Sequence, residues 1–175
     1  MRLAFARFSD IFGEAPTTHG AAGWQMNAAA FRQLDEWGLA YASDGRGSRP
    51  YVPQVEGQTL AHVQLPTTLP TLDELIGNDG IDERNVARTL LTRTETDADH
   101  VFTLHAELEG GLLMPAFDEL LQGWKAQGHE LVSLAVLYRH VRRSSLSALP
   151  LAWGSVPGRS GALIVAQAIS ETAHR

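Results

Sequence analysis

A chain of 175 residues with 14 Lys and Arg against 20 Asp and Glu, net charge −6, offers no basic surface for nucleic acid as its main partner. It has no cysteine, which excludes disulfides, thiolate metal sites and a cysteine nucleophile. With 44% hydrophobic residues, its length suits one domain over 1–175 with its own core, the tail 149–175 being unassigned. The densest basic group, Arg139, Arg142 and Arg143, is explained by a solvated helix end. No run approaches the ~20 apolar residues of a membrane span. The opening residues 1–8 carry charges inside their apolar stretch, unlike a secretory signal. The expectation is a soluble or peripheral protein.

The first helix is predicted over 2–12, where Leu3, Phe5, Phe8, Ile11 and Phe12 form a stripe that stops at Gly13. No capping residue precedes it, so the chain is expected to start inside a helix. Pro16 ends a linker, and the small residues of 17–23 run into Trp24. Such residues permit close approach of a ligand or a neighbouring strand, and tight packing accounts for them equally well. Asn27 is placed to cap a helix over 28–37, with Phe31 and Leu34 inward and Gly38 as the stop. A short strand over 39–43 leads to Asp44-Gly45-Arg46-Gly47, either a carboxylate presented for chemistry or a solvated Asx turn. Pro50 and Pro53 mark a loop, and 62–66 reads as a third strand. Thr71 and Glu74 form a capping box for a short helix, followed by a longer helix over 82–94 and an exposed acidic turn.

The stretch 101–111, Val-Phe-Thr-Leu-His-Ala-Glu-Leu-Glu-Gly-Gly, is predicted as a strand that ends in titratable groups. Parallel α/β enzymes place chemistry in this way, at the carboxyl edge of the sheet. Alternation puts His105, Glu107 and Glu109 on one face, and a half-buried strand with a wet polar face fits the same pattern. A helix over 115–127, a strand over 129–134 and a helix over 135–143 follow. Strands alternating with helices imply an α/β fold with a largely parallel sheet.

The seven histidines include no His-Glu-x-x-His, and no pair at helical spacing with a carboxylate partner. His100 and His105, five apart on a predicted strand, face opposite sides. No local metal site is read from the chain. Gly158-Arg159-Ser160-Gly161 lacks the spacing of a nucleophile elbow, and no phosphate loop is present. What remains is His105 as an acid–base group with Asp44 to orient it. A carboxylate beside an imidazole favours its charged form, which suits a general acid.

Several stretches together resemble the bacterial 4-deoxy-4-formamido-L-arabinose-phosphoundecaprenol deformylases of lipid A modification, within the polysaccharide deacetylase (NodB-homology) superfamily. They are Ala21-Ala22-Gly23-Trp24, Tyr41-Ala42-Ser43-Asp44-Gly45-Arg46-Gly47, the run from Leu65-Pro66-Thr67-Thr68-Leu69-Pro70-Thr71 to Gly77, Phe102-Thr103-Leu104-His105-Ala106-Glu107-Leu108-Glu109-Gly110, and Leu149-Pro150-Leu151. The resemblance spans about residues 10–165.

It implies a partial (β/α) barrel of the polysaccharide deacetylase type, lacking its N-terminal strands, and a metal-dependent hydrolase of a formamide or acetamide on an amino sugar. The family's cofactor is a divalent, zinc-like metal that activates water. By the same resemblance His105 is the proton donor to the leaving amine and Asp44 its orienting carboxylate. Gly23, Trp24, Arg46 and Glu107 would contact substrate, and Gln25 stands where a basic residue is expected. The substrate would be an amino sugar, undecaprenyl-linked in the family, and the resemblance implies a protein that is cytoplasmic or peripheral at the inner membrane of a Gram-negative bacterium. The superfamily's Asp-rich strand and His-x-x-x-His segment have no match here, so the chain is expected to be a carboxyl-terminal portion without metal ligands. Alone, it is expected to be marginally stable and inactive, because too few strands remain to close a barrel. The alternative is a non-catalytic sugar-binding module.

Overall fold

The computed structural model describes residues 1–166. In chain order the elements are α1 (Arg2–Phe12), β1 (Thr18–His19), α2 (Ala28–Glu36), β2 (Tyr41–Ala42), β3 (Val52–Val55), β4 (Gln58–Thr59), β5 (Val63–Gln64), α3 (Leu72–Leu75), α4 (Val86–Leu91), α5 (Ala106–Glu109), α6 (Met114–Ala126), α7 (Leu134–His140), β6 (Ala148–Gly154) and β7 (Leu163–Ala166). They fall into two compact units, one of residues 1–66, 140–154 and 162–166, the other of residues 67–139 and 155–161.

The first unit holds both sheets. A three-stranded parallel sheet runs β1-β2-β5, with Thr18 opposite Tyr41 and Tyr41 opposite Val63. A four-stranded sheet runs β4-β3-β6-β7, in which β3 pairs antiparallel with β4 and parallel with β6, and β6 pairs antiparallel with β7. The β3–β4 hairpin stands where the prolines predict a loop. Pro53 is tolerated because its turn partner Leu60 donates to the Pro53 carbonyl, which asks nothing of the missing N–H. The Asn27 side chain accepts from Ala30 N–H at 2.9 Å and opens α2, as predicted. That helix buries Phe31 and Leu34 against Met26, Leu39, Ala42, Val55, Leu60 and Ile164. The α1 stripe is largely exposed, with Leu3, Ile11 and Phe12 between 61 and 85% accessible.

The second unit is helical. Leu69, Leu72 and Leu75 pack with Val86, Leu90, Leu113, Leu120 and Trp124. The Trp124 indole N–H donates to the Thr94 hydroxyl at 3.1 Å, so the ring is buried without an orphaned donor. The predicted capping box of α3 is present, Thr71 and Glu74 satisfying each other's ends.

Two predicted strands are not strands, and no closed barrel is formed among the described residues. Among the described residues, the backbone of 101–105 pairs with the neighbouring segment only at Val101, whose carbonyl accepts from Thr68 and Leu69 and whose N–H donates to the Thr68 hydroxyl. The neighbouring segment carries Pro66 and Pro70, which supply no N–H, so a ladder cannot continue on either side. Ala106-Glu107-Leu108-Glu109 then turns helical, since all four are good helix formers and Glu109 reaches back to the His105 N–H at 2.7 Å. Helix period therefore replaces the alternation expected of Glu107 and Glu109: Glu107 is exposed and Glu109 buried. Residues 129–133 form a loop instead of a strand, with the His129 ring bonded to the Thr94 carbonyl and Ser133 receiving the first turn of α7.

Candidate functional site

The three parallel strands bring their carboxyl ends to one edge of the small sheet. His19 is in register with Ala42, and Ala42 with Gln64. Asp44 follows β2 by two residues and lies fully buried. Its Oδ1 is 2.6 Å from His19 Nδ1, and its Oδ2 accepts from Gln64 Nε2 at 3.0 Å. Its own N–H donates to Gln64 Oε1 at 3.0 Å. The sheet edge thus presents a carboxylate and an imidazole as predicted of parallel α/β chemistry, but the imidazole that meets Asp44 is His19.

Beside this group, Tyr51 is fully buried, and among the described residues its hydroxyl has no hydrogen-bond partner. Burial, and then the charge of Asp44, raise its pKa, so it stays a neutral phenol at physiological pH. The Arg46 guanidinium lies 4.6 Å from the centre of the Trp24 ring, a cation–π contact. Trp24 is only 4% exposed, and both Gly23 and Trp24 have positive φ, of 57° and 54°. Gly23 adopts this conformation freely; for Trp24 it is strained, held by a ring packed in the core.

The second unit carries a separate cluster around His105. His105 precedes α5, its side chain 30% exposed, with Nδ1 at 3.4 Å from Asp73 Oδ1. This is an ion-pair distance without hydrogen-bond alignment, and the atom is buried without another partner among the described residues. Arg159 sits against the same acidic turn: its Nη2 is 3.3 Å from Asp73 Oδ2, and its Nε donates to Glu74 Oε1 at 2.7 Å. The Glu74 carboxylate is fully buried and also accepts from Thr71 N–H. Such buried charges are tolerated because they are paired and hydrogen-bonded.

His105 and Asp44 therefore belong to different units, and each has its partner within its own: Asp73 for one, His19 for the other. Glu107 is exposed on α5 and Gln25 bonds weakly back to the Gly23 carbonyl at 3.4 Å. Reading the sequence missed His19, Gln64, Asp73 and Arg159. A signal existed for two of them: Asp73 lies inside the Pro-Thr run, and Thr18-His19-Gly20 has the strand-then-glycine form that singled out Asp44.

Among the described residues no group of three or more His, Asp or Glu side chains is arranged to hold a metal ion. Asp73 and Glu74 pair with Arg159, and each oxygen of Asp44 already has a partner, His19 or Gln64. The described donors are therefore not gathered into a site that fits a divalent ion.

No protein-family model matches the chain. It is 34% identical over 132 residues, 75% of its length, to the probable 4-deoxy-4-formamido-L-arabinose-phosphoundecaprenol deformylase ArnD of Shewanella sediminis, covering 42% of that protein. The protein of the same name from Wigglesworthia glossinidia brevipalpis is 34% identical over 107 residues, 60% of this chain and 37% of its own length. The chain thus spans about two fifths of the length of the curated relatives it matches. A crystal structure assigned as a polysaccharide deacetylase from Mycobacterium smegmatis aligns with 87% of this chain and 58% of its own at a TM-score of 0.58 and 19% identity, a likeness of fold. No helix among the described residues is long and apolar enough to cross a membrane.

Proposed function

We propose, from the kinship of this chain with the formamidoarabinose deformylases and the polysaccharide deacetylases, that it takes part in hydrolysing a formamide or acetamide on an amino sugar. The observation that carries the reading is His105. It stands in the Thr-Leu-His-Ala-Glu-x-Glu-Gly run that resembles the family's, partly exposed, with a carboxylate 3.4 Å from its inner nitrogen. In this reading the outer nitrogen, Nε2, gives its proton to the amine nitrogen as the C–N bond breaks, and Asp73 steadies the ring. Arg159 is a positioning residue, since it holds both Asp73 and Glu74.

Glu107, exposed two residues beyond His105, is proposed to meet sugar hydroxyls. Gly23, Trp24 and Arg46 are proposed as a sugar-contacting surface of their own unit. The metal-holding part of the family's chemistry is assigned outside the described residues, and the chain corresponds to part of that superfamily's (β/α) barrel. The lipid-linked form of the substrate, and peripheral contact with a membrane, belong to the same proposal.

The test is release of formate or acetate from 4-formamido- or 4-acetamido-4-deoxyarabinose phosphate. It is run with the chain alone and with the chain fused to the part of the Shewanella sediminis relative that it does not cover. The reading expects release by the fusion and none by the chain alone. Binding of the sugar without release by either would instead establish a non-catalytic sugar-binding module.

A further inference from the structure

We infer that His19, Asp44 and Gln64 form a proton-transfer relay whose working atom is Nε2 of His19. The direction of every bond in the group is set from the backbone outward. The Asp44 N–H donates to Gln64 Oε1, which fixes the orientation of the Gln64 amide. Its Nε2 must then donate, and it does so to Asp44 Oδ2 at 3.0 Å. A carboxylate only accepts, so Asp44 Oδ1, 2.6 Å from the ring, requires a proton on His19 Nδ1. In the neutral imidazole the lone pair is consequently on Nε2.

That atom makes no hydrogen bond among the described residues, and the His19 side chain is 28% exposed while Asp44 is fully buried. One nitrogen is thus held by a carboxylate removed from water, and the other is open to a ligand. This is the arrangement in which an imidazole takes and returns a proton. Nε2 takes a proton from a water or hydroxyl, whose oxygen keeps the electron pair. The charge gained by the ring lies against Asp44 until Nε2 releases the proton to solvent water. Tyr51, held neutral in the core, does not compete for this task. The strands specify the relay: His19 and Gln64 flank β2 in register, one on each side of Asp44. The relay rests on this geometry; that it serves an amino-sugar amide rests on the reading above.

The experiment is a histidine-selective ¹⁵N spectrum of the full chain across pH, with His19→Gln to assign the resonance. The expected result is a neutral His19 protonated on Nδ1. In Asp44→Asn the tautomer should reverse: Gln64 Nε2 takes the new carbonyl oxygen, leaving the Asn amide NH₂ facing Nδ1. A wild-type His19 protonated on Nε2 overturns the relay, whether or not Asp44→Asn folds. In the fusion described above, His19→Gln is expected to lower kcat about 100-fold with little change in KM; an unchanged kcat overturns the proposal. A wild-type fusion that is inactive sinks the amide-hydrolase reading instead. The relay then stands if diethyl pyrocarbonate acylates His19 faster in wild type than in Asp44→Asn, and falls if the rates are equal.

Discussion

Gly158 and Gly161 bracket Arg159, and replacing each by alanine separates two costs that usually arrive together. Both have positive φ, 81° and 79°, so each substitution carries the same backbone strain of about 1–2 kcal/mol. Their surroundings differ. A Cβ at Gly161 would meet nothing within 4 Å, whereas one at Gly158 would lie 2.3 Å from the Glu74 carbonyl oxygen and 2.7 Å from its Cα. Backbone cannot swing aside as a side-chain tip can, so Gly158→Ala must push residues 155–161 off α3. Overpacking of this kind costs about a further 1–3 kcal/mol. Urea unfolding followed by tryptophan fluorescence should therefore show Gly161→Ala losing about 1–2 kcal/mol and Gly158→Ala about 2–5 kcal/mol. Equal losses would refute the claim that this segment is seated on Glu74. With it would go the claim that Arg159 is delivered to Asp73 by that seating.

Phe31 is fully buried in the core of the first unit, and Phe31→Ala is expected to cost about 3–5 kcal/mol by denaturant titration, against less than about 1 kcal/mol for an exposed control such as Leu3→Ala. His62, 1% exposed with Nε2 unpartnered among the described residues, is held below its usual pKa of 6.5 mainly by burial, although Asp35 pulls the other way. The unfolded chain then binds a proton near pH 6.5 that the folded one refuses, so stability is complete above that value and falls as pH drops below it. His100, lowered by burial and then by His129, acts with the same sign. His62→Gln should flatten the loss between about pH 7 and 5 without abolishing it; an unchanged slope would contradict the assignment to His62.

Local rules with short reach were legible in the sequence. The Asn27 cap, the Thr71–Glu74 box and the Gly13 stop each depend on neighbours within a turn, and each is formed. Strand assignment failed where it depended on a partner. Residues 101–105 have the β-branched and bulky composition of a strand, but the segment beside them has prolines where donors are needed. The site divides in the same way. Asp44 and His105 were singled out as strand-end groups, and both sit in polar clusters, yet which imidazole meets which carboxylate is decided by register between distant segments. His19 is 25 residues from Asp44, and Arg159 is 85 from Glu74. Nothing local announces such pairs; the parallel register of β1, β2 and β5 creates the first, and the fit of Gly158 on α3 the second.

The most direct test of the account is kcat for acyl release by the fused enzyme carrying His105→Gln, measured beside wild type at saturating formamido sugar. As the proton donor to the leaving amine, His105 should be worth about 100-fold or more in kcat, with the fold intact. A variant that releases formate at the wild-type rate would show that the leaving group takes its proton from elsewhere, and the account of this chain as the proton-donating part of an amide hydrolase would be wrong.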